Sequence, residues 1–196
     1  LGNINSQIDL TKRIDEYNAS VDCISCLTEE DHFLGNVHYL KEIREISPLP
    51  ILRKDFMIDE YQFYEAKVIG ANAILLITGI LDDVQMKDFY QLTTELGLDA
   101  LFEAHTEEQM DRALNCGAKI VGVNNRDLRN FTIKLDTTKR LSKMVPDDRI
   151  FVAESGIVLD EDVKYLKECR VDAFLIGRAF MEAANPQELA KHWKAL

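Results

Sequence analysis

The sequence predicts an α/β fold, and within that class a TIM (β/α)8 barrel. Three observations carry this. Five segments echo one another: Val21–Ser25, Gly70–Leu76, Gly97–Phe102, Gly117–Gly122 and Val171–Ile176. Each follows an amphipathic stretch, often through a glycine able to cap a helix end, and each then enters a short apolar run. Ile51–Lys54 and Ile150–Glu154 are two more strands of the same kind. The runs are apolar on both faces and alternate with helical segments, which is the pattern of parallel strands in βαβ units. Finally, no Gly-x-Gly-x-x-Gly follows an early strand, as it usually does in the competing open doubly wound sheet.

Taken in order, the helices fall near Leu10–Asn18, Asn36–Ile46, Glu60–Ile69, Asp83–Leu96, Glu107–Cys116, Asp136–Met144, Glu161–Glu168 and Pro186–Leu196. Their starts are marked. Asp59 precedes Gln62 by three, Asp82 precedes Gln85 and Thr106 precedes Gln109, the spacing of a capping box. Asn185-Pro186 sets an N-cap before a proline at the first helical position. Eight helices and seven strands, beginning and ending on a helix, read as a βα series without its first strand. Residues 1–196 are expected to form a single barrel domain lacking that strand and the segment before it.

The 196 residues are 46% hydrophobic and 29% charged, ample for one cored domain. No apolar run approaches the roughly 18–20 residues that span a bilayer, and no signal peptide is visible at Leu1–Asn5. The formal charge of −11 disfavours nucleic-acid binding but permits a local phosphate site. A cytoplasmic protein, monomeric or weakly homo-oligomeric and without membrane or nucleic-acid partners, is expected. Cys23 and Cys26 form a Cys-x-x-Cys, yet they fall in the strand-like run Val21–Leu27. Residues three apart on a strand face opposite sides, so they read as separate packing cysteines in a reducing compartment. His32, His38, His105 and His192 form no i, i+4 pair, and no metal site is expected.

Catalytic groups in such barrels sit at the C-terminal ends of strands. Here those ends are polar: Arg53-Lys54-Asp55, Glu103-Ala104-His105, Asn124-Asn125-Arg126-Asp127, Glu154-Ser155-Gly156 and Gly177-Arg178. Period-two alternation puts Lys54 on the face of Leu52, and Arg53 with Asp55 on the other. A lysine at the mouth of an apolar barrel is partly desolvated, so it can act as a general acid or a Schiff-base nucleophile, with Glu103 as a partner base. Ser155-Gly156 and Gly177-Arg178 end the last two strands, where barrels often bind a substrate phosphate.

The ordered set Leu52–Phe56, Asp59–Gln62, Phe102–His105, Gly122–Leu128 and Glu154–Ile157 closely resembles the indole-3-glycerol phosphate synthase family of tryptophan biosynthesis. The resemblance runs from Leu1 to Leu196. It implies a (β/α)8 carboxy-lyase that closes the indole ring of an anthranilate-bearing aminodeoxyribulose phosphate, releasing carbon dioxide and water. It implies that Lys54 is the general acid at the sugar carbonyl and Glu103 the base of the dehydration. Asn124 and Arg126 would position substrate, and Glu154 would be a further rim carboxylate. Ser155, Gly156 and Gly177 would hold the phosphate, with Phe33 and Phe56 against the aromatic ring. No cofactor is required, because the iminium formed in the ring is the electron sink for decarboxylation. Arg178 departs from the small or acidic residue common in the family, though its backbone N–H can still reach phosphate.

The family's first strand carries a catalytic Glu and Lys and leads to a Ser-Pro-Ser phosphate loop. Leu1–Ile4 resembles the segment just after that loop, so this piece alone is expected to be nearly inactive. Two other readings stay open on the residues: a barrel lyase using Lys54 as a Schiff base, and a non-catalytic fragment that binds a phosphorylated ligand.

Overall fold

The computed structural model describes residues 9–127 and 130–196. Among them the helices are α1 (Leu10–Asn18), α2 (Val37–Ile46), α3 (Glu60–Val68), α4 (Asp83–Glu95), α5 (Glu107–Asn115), α6 (Asp136–Ser142), α7 (Asp160–Lys167), α8 (Arg178–Glu182) and α9 (Pro186–Ala195). The strands are β1 (Ile24–Leu27), β2 (Ile51–Lys54), β3 (Ala73–Ile77), β4 (Asp99–Ala104), β5 (Ile120–Asn124), β6 (Ile150–Glu154) and β7 (Ala173–Leu175). They follow one another in chain order through one seven-stranded sheet, with a helix after each. The pairs for which a register is defined are parallel. This is the TIM-barrel topology that the apolar runs predicted.

Two compact units divide the chain. One comprises residues 9–75, 92–99 and 178–195; the other comprises 76–91, 100–127 and 130–177. In the first, α1 packs on α2 and α9, and α2 packs on β1 and β2. Ile14, Leu40, Ile43, Phe63 and Ala66 supply the buried helix faces, and Ile51 and Ile74 are the fully buried strand residues. In the second, α5 and α6 pack on β5. Phe102, Val121, Val123, Phe151 and Ala153 are at most 2% exposed. Burying one phenylalanine fully contributes about 2–3 kcal/mol, so Phe63, Phe102 and Phe151 are major contributors to their units.

The helix starts follow the sequence closely. Asp59 and Gln62 form a reciprocal capping box. So do Asp82 and Gln85, at 2.8 and 3.1 Å. Asn185 accepts from Glu188 N–H at 3.1 Å, with Pro186 opening α9. Thr106 caps Gln109 N–H, but the Gln109 amide reaches past it to His105 N–H at 2.8 Å. That difference matters at the candidate site, because the capping glutamine holds the end of β4 instead of closing its own box.

Two elements differ from expectation. The first strand begins at Ile24, leaving Val21–Cys23 outside it. Cys23 is exposed and Cys26 buried, and both are free thiols. Burial pushes the Cys26 thiol up to about 12. The second difference is α8, a one-turn helix where the sequence pattern ran the last strand on through Gly177-Arg178. The strand stops at Leu175, and Arg178 is the first residue of α8 instead of a strand end. Arg178-Ala-Phe-Met-Glu182 carries an i, i+4 ion pair, which suits a helical turn.

Candidate functional site

The strand ends place their polar residues by simple alternation. In the first unit, β1 and β2 pair so that Leu27 lies opposite Lys54 and Cys26 opposite Arg53. Arg53 therefore turns toward α3. Its guanidinium donates to Thr28 Oγ1 at 3.0 Å, to the Gln62 carbonyl at 3.0 Å and to Asp55 at 3.0 Å, and pairs with Glu65 at 2.8 Å. Asp55 also accepts from Thr28 Oγ1 at 2.6 Å and from Phe56 N–H at 2.8 Å. A buried arginine needs this many partners, because unpaired burial of its charge is costly. Lys54 takes the opposite face, with Leu52, and is half-buried.

The aromatic pair lies in the same unit. Phe33 and Phe56 meet with ring centroids 5.9 Å apart, and His32 stands edge-on to Phe56 at 6.5 Å. Phe33 is held from below by Glu29. That carboxylate accepts from the N–H groups of Asp31, His32 and Phe33 at 2.8–3.1 Å, and from the His32 ring at 3.0 Å. The Glu29 hydrogen bond, reinforced by its charge, holds the His32 ring above the ordinary histidine range. Arg178 also belongs to this unit. Its side chain is 67% exposed and bound to Glu182 at 2.8 Å, so the guanidinium serves an i, i+4 helix pair.

The second unit holds seven of the sequence-predicted residues: Glu103, Asn124, Arg126, Glu154, Ser155, Gly156 and Gly177. The β4–β5 register sets Glu103 opposite Gly122, and the β5–β6 register sets Asn124 opposite Glu154. Alternation then puts Leu101, Glu103, Gly122, Asn124, Val152 and Glu154 on one face. Glu103 and Glu154 are each 1% exposed and Asn124 is 4% exposed. Sequence reasoning passed over Gly122, and its role is geometric. A Cβ there would stand 2.5 Å from Glu154 Oε1 and 3.1 Å from Leu101 Cδ1. The carboxylate of Glu154 lies over the bare backbone of β5. The signal was in the sequence, since a glycine inside Ile-Val-Gly-Val-Asn marks a close approach.

Around this face the backbone is fixed by buried polar groups. Thr78, fully buried, donates both its N–H and its hydroxyl to the Glu103 carbonyl, at 3.0 and 2.7 Å. Asn124 Oδ1 accepts from Arg126 N–H at 3.0 Å. His105 Nε2 reaches the Arg126 carbonyl at 3.1 Å and lies 3.8 Å from Glu103 Oε1. A bond to a carbonyl requires the proton on Nε2. Arg126 bridges Ile133 in antiparallel fashion. Leu128, part of the predicted motif, lies outside the described residues.

Ser155 and Gly156 follow β6 with φ of 64° and 78°, two left-handed residues in succession. Gly156 packs against Ile133 and Leu135, where a Cβ would collide. Ser155 N–H donates to Leu175 O at 3.4 Å. Gly177 is exposed, and a Cβ added there would meet nothing within 4 Å among the described residues. Among the described residues, no cluster of His, Cys, Asp and Glu could hold a metal ion, and no helix is long and apolar enough to cross a membrane.

Solved structures share the fold. Orotidine 5'-phosphate decarboxylase from Pyrococcus horikoshii superposes with a TM-score of 0.72 at 14% identity, covering 95% of this chain and 94% of that one. KGPDC from Streptococcus mutans superposes with a TM-score of 0.70 at 20% identity, covering 95% and 90%. Sequence relatives are nearer. The indole-3-glycerol phosphate synthase of Lachnospira eligens is 53% identical, over 98% of this chain and 74% of its own length. That of Acetivibrio thermocellus is 47% identical, over 100% of this chain and 75% of its own. The family model for indole-3-glycerol phosphate synthase matches residues 1–193. The chain belongs to the indole-3-glycerol phosphate synthase family, a family of decarboxylating lyases.

Proposed function

We propose that the strand-end residues of the two units perform the family's ring closure. The substrate is 1-(2-carboxyphenylamino)-1-deoxyribulose 5-phosphate and the products are indole-3-glycerol phosphate, carbon dioxide and water. Residues 1–196 act as one (β/α)8 domain in this reading; the family match running through both units supports that.

Lys54 is the general acid. Its ammonium protonates the sugar carbonyl oxygen as the carboxyl-bearing ring carbon attacks the carbonyl carbon. The new carbon–carbon bond leaves an iminium in the ring. The carboxylate departs as carbon dioxide, and its bonding electrons flow into that iminium of the substrate. Dehydration follows: Glu103 takes a proton, and the hydroxyl leaves protonated as water. Asn124 and Arg126 position the substrate, and Glu154 supplies a further carboxylate. Phe33 and Phe56 offer apolar area to the aromatic ring. The phosphate is held by the Ser155 hydroxyl, Gly156 N–H and the backbone at Gly177 and Arg178.

The observation that carries the reading is the shared buried face of Glu103, Asn124 and Glu154. A glycine seat lies beneath one carboxylate, and the left-handed Ser155-Gly156 turn stands at its end. Burying carboxylates on such a face carries a cost that only chemistry or pairing offsets. The test is the growth of indole fluorescence on adding the aryl-aminodeoxyribulose phosphate to the enzyme. Turnover that survives both Lys54→Ala and Glu103→Gln would overturn the assignment of roles.

A further inference from the structure

Asn125 stands beside Asn124 in the sequence but on the opposite face of the strand end, where it belongs to none of the groups proposed to touch substrate. It is 2% exposed. Its Oδ1 accepts from Thr138 N–H at 3.3 Å and Thr138 Oγ1 at 2.8 Å. Its Nδ2 donates to the carbonyls of Glu154 and Ser155, each at 3.2 Å. Its main chain donates to Glu154 O at 2.8 Å and accepts from Lys134 N–H at 2.9 Å. A side-chain amide has two donor hydrogens and two acceptor lone pairs; here all four are used. The side chain is a three-way clasp between the end of β5, the first turn of α6 and the chain just beyond β6.

The bonds to the two carbonyls have a consequence for the amides next in the chain. A trans peptide is planar, and its C=O and N–H point in opposite directions. Holding Glu154 O toward Asn125 turns Ser155 N–H the other way, and that N–H indeed meets Leu175 O at 3.4 Å. Holding Ser155 O toward Asn125 likewise turns Gly156 N–H away from Asn125. The turn concerned is strained, because Ser155 lies in the left-handed region at φ 64°. A serine stays there only when its surroundings over-determine it.

We propose that Asn125 is a positioning residue. By clamping the carbonyls of Glu154 and Ser155 it keeps the Ser155-Gly156 turn left-handed and aims Gly156 N–H, and the Ser155 hydroxyl with it, at a bound phosphate. The proposal rests on the reading of Ser155-Gly156 as a phosphate site. Asn125 touches no reacting atom and acts on affinity for the phosphorylated end of the substrate.

The experiment compares the enzyme with Asn125→Ala, Asn125→Ser and Thr138→Val. Steady-state kinetics give KM and kcat, calorimetry gives the Kd for inorganic phosphate, and thermal melting gives Tm. Asn125→Ala is expected to raise both KM and the phosphate Kd about tenfold, the loss that goes with one hydrogen bond, with kcat nearly unchanged. Asn125→Ser keeps a hydroxyl able to reach one carbonyl and should recover part of that loss; it also serves if the alanine variant fails to fold. Thr138→Val loosens the clasp from the α6 side and should lower Tm while leaving the phosphate Kd near that of the parent. A folded Asn125 variant with lowered Tm but unchanged KM and phosphate Kd would reduce Asn125 to a structural staple and overturn the proposal. Parent enzyme that binds no inorganic phosphate, with KM indifferent to it, would overturn the phosphate site itself and this proposal with it.

Discussion

At the scale of single residues, the strand ends separate charges by face. Lys54 and Arg53 are neighbours of like charge, yet alternation sends Arg53 to α3 and Lys54 to the opposite face. Arg53 is locked by Thr28, Asp55, Gln62 and Glu65. Replacing Lys54 by Ala should cut kcat about hundredfold or more, the usual share of a general acid, as read by indole fluorescence. Borohydride should trap no adduct on Lys54 during turnover, since the acid role forms no covalent bond. Gly122→Ala would push a methyl group against the Glu154 carboxylate, 2.5 Å away. Overpacking of this kind should destabilise the fold by about 1–3 kcal/mol in urea unfolding and reduce kcat, even though Gly122 itself does no chemistry. His32 offers a pH readout. Its folded pKa is raised by Glu29, so its stabilising contribution is fully present below the ordinary histidine range and is lost as pH rises through the folded value. An NMR titration should place the His32 midpoint higher in the parent than in Glu29→Gln; equal midpoints would remove Glu29 as the cause.

At the scale of elements, β2 and α3 are joined through charge as well as apolar packing. Asp55 ties Arg53 to Thr28 and to the backbone of Phe56. Removing one partner of a buried pair leaves an uncompensated charge, so Asp55→Ala should cost about 3 kcal/mol or more by denaturant unfolding. Most elements were legible in the sequence, because apolar runs and capping residues act locally. The box at Asp59–Gln62 could be read directly from spacing. Thr106–Gln109 could not, because the competing acceptor use, His105 N–H, depends on how the chain leaves β4. Likewise α8 was missed: a single helical turn has too few residues to show a period, and Arg178-Glu182 becomes meaningful only once the strand is seen to stop at Leu175.

At the scale of the whole molecule, the net charge of −11 opposes association with a phosphate backbone. The chain should show no retention of duplex DNA in filter binding at low salt, where electrostatic association is strongest; salt-sensitive retention would contradict this. The TIM-barrel class was already decided by the order of residues, since parallel strands buried on both faces leave a two-sided apolar pattern that helices must interrupt. So was the family, because an ordered set of polar strand ends at fixed spacings is far more specific than any one of them. Lys54, Glu103, Asn124 and Glu154 stood out in the sequence as polar strand ends, and the roles expected of them came from the family resemblance. The rest depended on the tertiary structure, for one physical reason: it involves contacts between segments remote in the chain. Only the β4–β5 and β5–β6 registers bring Glu103, Gly122, Asn124 and Glu154 to one face. Only packing makes Gly122 the seat of a carboxylate. And only the meeting of β5, α6 and the end of β6 distinguishes Asn125 from its neighbour Asn124, two identical side chains that the fold turns to different work.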